Sequence, residues 1–422
     1  STVDSGNLAA HLWTVAQACD ELAREPLPLQ SVFDAADDAL ALASEAQRRA
    51  EIDALRAGIA DARTRSSGLE DASDALRRAC DAPWAEKGAP EMQEWLACAA
   101  RGLSDALDEI RERSSGDRGA WRASSLRAIA GRARALADGM SFRFLFDEPR
   151  KLFSIGYDAD AGRRDEGCYD LLASEARLAS LVAIAKGDAP REHWFRLGRP
   201  RARVEPTSER MLLSWSGSMF EYLMPLLVTK SAPGTLLDET CRAAVKKQID
   251  YGAARGVPWG VSESAFHWMD LAMTYQYRAF GVPGLGLKAG LGEDLVVAPY
   301  ATALAAPLRP REAAENFRAL ERMRALGKYG FYDAVDCTAR HLPAGKTSVV
   351  VKTFMAHHQG MTLVALDNAL NDAPMPRRFH ADARVKAAEL LREERVPVRA
   401  PLAALRAAAL RTPVLEEPGL DR

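Results

Sequence analysis

Hydrophobic residues recur mostly at helical spacing along this chain. The first 140 residues are rich in Ala, Leu, Arg, Asp and Glu, and the stretch 36–59 repeats apolar positions every three to four residues. We predict four or five helices in this region. The turn sequences that separate them lie at 25–28, 66–68, 88–90 and 114–116.

A different pattern begins near Ser141. Two short apolar segments, 142–146 and 151–157, flank an Asp-Glu-Pro sequence and predict two short strands. Helical spacing returns after Gly167 and continues to about Leu391. The predicted helices span 169–187, 209–228, 236–254, 262–280, 310–326, 346–371 and 382–393.

About a dozen helices with aromatic-rich loops between them indicate an all-α fold, and we predict an (α/α)6 barrel. Residues 1–140 form an N-terminal helical segment, 141–395 the barrel with its short hairpin, and 396–422 a linker rich in Ala, Pro and Arg. An α-solenoid is the main alternative, but no fixed sequence repeat supports it.

Composition excludes several classes of function. The chain has 56 basic and 58 acidic residues, so its charge gives no reason to expect nucleic acid or an anionic membrane surface. The six cysteines include no Cys-x-x-Cys pair, which disfavours zinc ribbons and suits a reducing compartment. We expect no membrane span and no signal peptide. Because the chain starts at Ser1 without methionine, we expect it to be a piece of a longer protein, soluble as this fragment.

Glu263 lies in the most informative segment, which joins Trp259 to Trp268. Indole faces stack on the CH faces of pyranose rings, and a carboxylate can act as acid, base or nucleophile. The alternative is a first-turn glutamate after a Ser262 cap, stabilised by the helix dipole. The two neighbouring tryptophans favour a sugar-processing cleft.

Glu175 is a second candidate carboxylate. In the predicted helix it lies on the same apolar stripe as Leu178 and Val182. A buried carboxylate is costly unless it is paired or functional, and a salt bridge to Arg177 is the structural alternative.

Other polar residues in apolar surroundings give weaker signals. Glu221 either lines a cleft or ties two helices together. His357 lies on an apolar stripe and His358 on another side of the helix, which disfavours a two-histidine metal site. The glycine-rich stretch 284–290 lacks Gly-Lys-Ser/Thr and is not a phosphate loop. The loop 329–336 combines aromatic and acidic residues, which suits sugar contacts.

At these residues the chain resembles a known family. Residues from about Phe144 to Arg395 are similar to the central, glycoamylase-like domain of cyclic β-1,2-glucan synthases, classified as glycoside hydrolase family 189. The matching segments, in the same order, are 152–157, 169–177, 213–217, 219–225, 258–266, 284–288 and 355–361. The first 140 residues resemble, less clearly, the helical segment that precedes this domain.

The resemblance implies an (α/α)6 barrel that cuts linear β-1,2-glucan and rejoins it as a ring. Because both linkages are β, the reaction retains the anomeric configuration, and two carboxylates about 5–5.5 Å apart are expected. Glu263 is assigned as nucleophile and Glu175 as acid/base, although the sequence leaves this order open. Expected substrate contacts are Tyr169, Arg177, Trp215, Glu221, Trp259, Trp268, Tyr300, Tyr332, Asp333, His357 and His358.

The resemblance also implies a larger context. A glycosyltransferase domain with membrane helices would precede this chain and a phosphorylase domain would follow it, at the cytoplasmic side of the inner membrane. No cofactor, metal or nucleotide is expected. Calcium held by Asp294 or Asp336 is the exception to test.

Two positions depart from the family pattern. Asp333 stands where the family usually has glutamate, and Cys337 replaces a common tyrosine. These changes can alter a sugar contact or the balance between transfer and hydrolysis.

Two other functions are the alternatives. One is an endo-β-1,2-glucanase on a similar barrel, and the other is a non-catalytic domain that holds glucan.

Overall fold

The structure is a computed structural model that describes residues 1–25, 28–65, 68–114, 120–203 and 210–395. The predicted linker 396–422 and parts of the predicted turns at 25–28, 66–68 and 114–116 lie outside these residues. The chain divides into two compact units. The larger comprises residues 1–11 and those described from 140 onwards, and the smaller comprises 12–139.

The smaller unit is built from helices whose apolar faces meet in a main core, with a smaller cluster between its first and last helices. The helices of the first 139 residues are α1 (Thr2–Leu22), α2 (Leu29–Ala46), α3 (Ala50–Ala62), α4 (Gly68–Cys80), α5 (Pro83–Glu86), α6 (Pro90–Ser114) and α7 (Ala120–Gly139). Leu40, Ile52, Leu76 and Met92 are fully buried in this core. Burying each such side chain contributes about 1.5–3 kcal/mol. Residues 1–11, which the sequence assigns to the N-terminal segment, belong instead to the larger unit.

The larger unit combines helices with short antiparallel strands. Its helices are α8 (Arg177–Lys186), α9 (Glu192–Arg196), α10 (Met219–Leu223), α11 (Leu236–Arg255), α12 (Pro299–Ala305), α13 (Pro310–Arg322), α14 (Ala356–Leu370), α15 (Pro374–Phe379) and α16 (Ala383–Ala388). A 3₁₀ helix, Met224–Leu227, continues α10. Helix α12 packs against α10, α13 and α14, so it lies at the centre of this group.

The strands of the larger unit are two to six residues long. They are β1 (Phe146–Asp147), β2 (Leu152–Ser154), β3 (Tyr157–Asp158), β4 (Arg163–Arg164), β5 (Cys168–Tyr169), β6 (Arg201–Arg203), β7 (Arg210–Leu212), β8 (Ser264–Met269), β9 (Tyr275–Arg278), β10 (Val296–Val297), β11 (Leu326–Gly327), β12 (Gly330–Phe331), β13 (Ala334–Asp336) and β14 (Val349–Val351). Two three-stranded sheets have the orders β1-β2-β5 and β10-β13-β14, and β3-β4, β6-β7, β8-β9 and β11-β12 form pairs.

The mostly helical fold confirms the predicted all-α class, but two predicted helices are wrong in ways that matter for function. The stretch 262–280 is the β8–β9 hairpin, because Asp270 accepts hydrogen bonds from the backbone N–H groups of Ala272 and Thr274 and closes a turn. The helix predicted from 169 begins only at Arg177. The residues before it include β5, which pairs with β2, so Glu175 lies in a turn rather than on a helix face.

Three other predicted helices are too long. Only 219–223 of the predicted 209–228 is α-helical, and β7 lies in its first part. The predicted helix 346–371 contains β14 before α14 begins at Ala356. The predicted 382–393 divides into α16 and a 3₁₀ turn. Apolar β-branched residues such as Val349 and Val351 fit a strand as well as a helix, which explains the error at β14.

Candidate active site

Three glutamates, Glu175, Glu221 and Glu263, lie close enough to act on one another electrostatically. The charge of Glu221 raises the pKa of Glu175, and the charges of Glu175 and Glu221 raise the pKa of Glu263. Chain segments from three parts of the larger unit supply them: the turn before α8, the first turn of α10, and the residue before β8. A cluster of like charges is unfavourable unless some of its members are neutralised or solvated by fixed dipoles.

Glu175 is a partly exposed carboxylate with a raised pKa. Burial is the main cause, followed by the charge of Glu221, and together they raise the pKa from 4.5 to about 7. The Ser174 hydroxyl donates a 3.1 Å hydrogen bond to one carboxylate oxygen. Glu175 is therefore suited to carry a proton near neutral pH and to give it to a leaving group.

Arg177 does not pair with Glu175. Its guanidinium is buried and donates to the backbone carbonyl oxygens of Ser174 at 2.8 Å, Glu221 at 2.7 Å, and Tyr222. These bonds join the start of α8 to α10. The structural alternative for Glu175, a salt bridge to Arg177, is therefore wrong, and so is a direct sugar contact for Arg177, because its donors are occupied inside the protein.

Glu221 is a structural carboxylate. It accepts hydrogen bonds from the hydroxyl groups of Ser214 (2.8 Å) and Ser216 (2.6 Å) and from the backbone N–H groups of Ser216 (2.9 Å) and Ser218 (3.0 Å). It also forms a capping box with Ser218 at the start of α10. The predicted sugar contact is not supported, because these donors saturate the buried carboxylate; Glu221 instead fixes the 214–218 loop.

Glu263 is the second partly exposed carboxylate. Burial is again the main cause that raises its pKa to about 7, and the charges of Glu175, Glu221 and Asp4 add to it. A hydrogen bond with the Tyr277 side chain acts in the opposite direction. Residue 277 faces residue 265 across the β8–β9 pair, so the hairpin brings the phenol to the carboxylate.

A chain of hydrogen bonds runs from Glu263 into the interior. The Tyr277 hydroxyl lies 3.2 Å from Nε2 of His358, and Nδ1 of His358 lies 2.6 Å from an oxygen of Asp333. The other oxygen of Asp333 accepts from the backbone N–H of Ala265 at 2.7 Å. Because an ionised carboxylate only accepts, the proton between His358 and Asp333 resides on Nδ1, which leaves Nε2 to face Tyr277.

These hydrogen bonds show that two predicted substrate contacts are wrong. Asp333 and His358 are 2% and 1% exposed, so they cannot reach a sugar directly. Tyr300 is also buried: its ring stacks on His358 with 3.8 Å between centroids, and its hydroxyl donates to the backbone oxygen of Glu263 at 3.1 Å. All three hold Tyr277 and Glu263 in place. His357, by contrast, is exposed, and its Nε2 lies 3.3 Å from the Tyr277 hydroxyl.

The predicted aromatic contacts fall into two groups. Trp215 and Trp268 are 61% and 59% exposed, so their indoles are open to a ligand. Trp259 is 7% exposed, and Asn316 bonds both its backbone N–H and its carbonyl oxygen. A stacking role for Trp259 is therefore not supported, because its side chain is buried and its backbone is held by Asn316 of α13.

Two tyrosines lie between these extremes. Tyr169 is partly exposed, and the charges of Glu175 and Glu263 both raise its pKa after burial, so it borders both carboxylates. Tyr332 is partly exposed and lies in a 390 Å³ cavity with Tyr329 and Gln359. Both positions can contact a ligand.

The aspartates considered for calcium have protein partners. Asp294 pairs with Arg278 and Arg340, and Asp336 accepts from His341 at 2.9 Å. Among the described residues, no group of three or more His, Cys, Asp or Glu side chains is arranged to hold a metal ion. Within the same residues, no helix has the length and apolar character required to cross a membrane.

The sequence interpretation missed Tyr277 and Asp4. Tyr277 had a local signal, because the alternation Tyr275-Gln-Tyr277 is typical of a strand. Asp4 had none: its charge raises the pKa of Glu263 although it lies in α1, far away along the sequence.

Residues 168–381 match the family model described as "Glycoamylase: Putative glucoamylase". The cyclic beta-(1,2)-glucan synthase NdvB of Rhizobium meliloti (strain 1021) is 41% identical over 96% of this chain. The chain spans only 15% of the length of that relative.

Two solved structures are similar at low identity. One is an endo-beta-1,2-glucanase from Chitinophaga pinensis in complex with sophorotriose and glucose, with TM-score 0.47 and 14% identity, covering 85% of this chain and 87% of that one. The other is a beta-1,2-glucanase from Parabacteroides distasonis, with TM-score 0.47 and 15% identity, covering 70% of this chain and 44% of that one. The family match covers half of the sequence and includes Glu175, Glu221 and Glu263. This chain belongs to the glycoamylase family.

Proposed function

We propose that this chain is a retaining transglycosylase that cuts linear β-1,2-glucan and closes it into a ring. The observation that carries the proposal is the pair Glu175 and Glu263, two partly exposed carboxylates with pKa values raised to about 7. Perturbed carboxylates in a cleft are typical of acid/base and nucleophile pairs. The substrate class comes from the relative that is 41% identical, a cyclic beta-(1,2)-glucan synthase.

In the first step, Glu263 attacks the anomeric carbon. The bond from that carbon to the glycosidic oxygen breaks, and Glu175 gives its proton to the departing oxygen. The products are a glycosyl ester on Glu263 and a shortened glucan with a free hydroxyl. Tyr277 is placed to stabilise ionised Glu263 before attack, because its side chain hydrogen-bonds to that carboxylate.

In the second step, Glu175 acts as base. It takes the proton from the 2-hydroxyl at the chain's own non-reducing end, which attacks the anomeric carbon and releases Glu263. Two inversions at one carbon retain the β configuration. If water attacks instead, the product is a linear sugar, which is the endo-β-1,2-glucanase alternative.

The buried chain behind Glu263 gives Asp333 and His358 a positioning role. The Tyr277 hydroxyl has one proton and faces three acceptors: Glu263, His357 and His358. Tyr277 donates its proton to ionised Glu263 only when neither histidine accepts it. This holds for a histidine whose Nε2 carries its own hydrogen or does not bond to the Tyr277 oxygen. Asp333 fixes which atom of the His358 ring faces Tyr277, because its carboxylate oxygen lies 2.6 Å from Nδ1 of that ring.

This chain would then act as one part of a longer synthase. The relative is several times longer, since the match covers 15% of it. We place a glycosyltransferase domain before this chain and a phosphorylase domain after it, with the whole enzyme at the cytoplasmic side of the inner membrane. Linear glucan made by the first domain would be the substrate here.

The test is incubation of the chain with linear β-1,2-glucan, with linear β-1,3-glucan as a control and Glu263→Gln as the inactive variant. Products are separated by mass spectrometry over time. Rings from the β-1,2 substrate alone, absent with Glu263→Gln, are the expected result. Short linear products with no rings would favour the glucanase alternative, and no turnover would favour a domain that only holds glucan.

A further inference from the structure

A cavity of 560 Å³ in the larger unit is lined by residues from the first three turns of α1. This size lies within the range of small-molecule binding sites. Asp4, Asn7 and His11 form one wall, at the spacing that places side chains on one face of a helix. The facing wall comes from α10 with its 3₁₀ extension and from α14, including Phe220 and His357.

The cavity shares His357 with the candidate active site. His357 lines it and also lies 3.3 Å from the hydroxyl of Tyr277, the phenol that binds Glu263. Asp4 lines it and acts electrostatically on Glu263, Tyr169 and His357. The cavity and Glu263 are therefore close enough for one glucan chain to contact both.

Two polar groups on the α1 wall can accept hydrogen bonds. Oδ1 of Asn7 is buried and has no hydrogen-bond partner among the residues that the structure describes. Nδ1 of His11 lies 2.8 Å from the Asn7 carbonyl oxygen, which can only accept, so Nδ1 carries the hydrogen and Nε2 remains an acceptor. A buried unpaired acceptor costs free energy unless a ligand or water satisfies it.

The start of α1 is fixed against the rest of the larger unit. Gly6 approaches Ala179 of α8 so closely that a side chain at position 6 would overlap its Cβ atom. The Thr2 hydroxyl donates to the carbonyl oxygen of Ser154 at 2.6 Å, and its backbone N–H donates to that of Ile155 at 2.9 Å. The wall is therefore preorganised, although it precedes the family match at 168–381 by more than 150 residues.

We propose that the first turns of α1 form a glucosyl-binding subsite of the active site, in which Asn7 and His11 accept hydrogen bonds from sugar hydroxyls and Phe220 contacts the ring. This inference rests on the proposed function, because it takes β-1,2-glucan as the ligand. Apolar residues opposite polar acceptors match the two kinds of surface on a pyranose ring.

The test uses Asn7→Leu in a Glu263→Gln parent, which binds glucan without turnover. Leucine keeps the volume of the side chain but removes the amide. The dissociation constant for linear β-1,2-glucan, measured by isothermal titration calorimetry, should rise roughly 2- to 12-fold, the effect of one neutral hydrogen bond. The melting temperature should not fall, because the lost oxygen has no protein partner. A purely structural Asn7 would give the reverse: lower melting temperature and unchanged affinity.

Asn7→Ala provides a second variant that removes the same amide. Leu8→Ala is the matched control, because Leu8 is 55% exposed on the same turns of α1 and does not line the cavity; its affinity should equal that of the parent. Unchanged affinity in both Asn7 variants would overturn this inference alone. Failure of the Glu263→Gln parent to bind β-1,2-glucan at all would overturn the proposed function as well.

Discussion

Replacing Glu175 with glutamine should greatly lower turnover and, at alkaline pH, make the protein more stable. The folded protein raises the pKa of this carboxylate from 4.5 to about 7, so the folded state binds its proton more tightly than the unfolded state. Stability therefore falls as pH rises from about 4.5 to 7 and stays reduced above it. Glutamine resembles the protonated acid and cannot ionise, so the variant does not lose stability as the pH rises.

The size of the effect follows from the shift. At about 1.4 kcal/mol per pKa unit, the difference between 4.5 and about 7 corresponds to about 3.5 kcal/mol at pH 8, as an upper limit. For a unit of this size that is a rise in melting temperature of roughly 6 °C. At pH 4, where the carboxylate is protonated in both states, the variant and the wild type should melt together. Loss of acid/base assistance should lower turnover about 10²–10⁴-fold.

The assay is thermal unfolding by circular dichroism from pH 4 to 9, with glucan turnover measured on the same samples. Glu321→Gln is the control, because Glu321 is exposed on α13 and its removal should change neither quantity. A Glu175→Gln protein that melts lower than wild type at pH 8 would contradict the reasoning, because the carboxylate would then be stabilising. An active variant would remove Glu175 from the mechanism.

Four further substitutions test the surroundings of the carboxylates. Tyr277→Phe removes the hydrogen bond to Glu263; since that bond lowers the pKa of Glu263, the acidic limb of the pH–rate profile should move to higher pH, and an unmoved limb would contradict the assignment. Asp333→Asn weakens the hydrogen bond that holds the His358 ring against Tyr277, so kcat should fall while KM for glucan changes little; a rise in KM alone would indicate a direct sugar contact instead. Trp259→Ala should lower the free energy of unfolding by about 3–5 kcal/mol in chemical denaturation, because its indole is buried. Trp268→Ala should leave that free energy nearly unchanged and weaken binding of long glucans, because its indole is exposed. The opposite pattern would restore the stacking role of Trp259.

The sequence identified the carboxylates better than the elements that carry them. Glu175 and Glu263 stand out because burying a carboxylate among apolar and aromatic neighbours is unfavourable unless it is paired or functional. This signal depends only on residue type, so it is visible in the sequence. The sequence places both on helices, but Glu175 lies in a turn and Glu263 directly before a strand. Apolar residues in these segments recur at helical spacing, although the backbone does not form helical hydrogen bonds there. Glu221 shows the limit of the argument: the same apolar company surrounds it, but three serines saturate it.

Long-range relationships were not accessible to pattern reasoning. Asp333 and His358 belong to a loop and a helix that look suited to sugar contacts, yet a 2.6 Å hydrogen bond between them turns both toward the interior. The α1 wall of the cavity depends on the packing of Gly6 against Ala179. Along the sequence, one of these residues precedes the smaller unit and the other follows it. No local periodicity predicts such a contact.

Ring formation from linear β-1,2-glucan in water enriched with ¹⁸O tests the central claim most directly. Transfer to the chain's own end excludes water, so the account predicts rings lighter by one water than the open chain of equal length, and free of ¹⁸O from the earliest times. Hydrolysis would place ¹⁸O at the new reducing end of linear fragments. Products that are all linear and labelled, with no rings even at early times, would contradict the account.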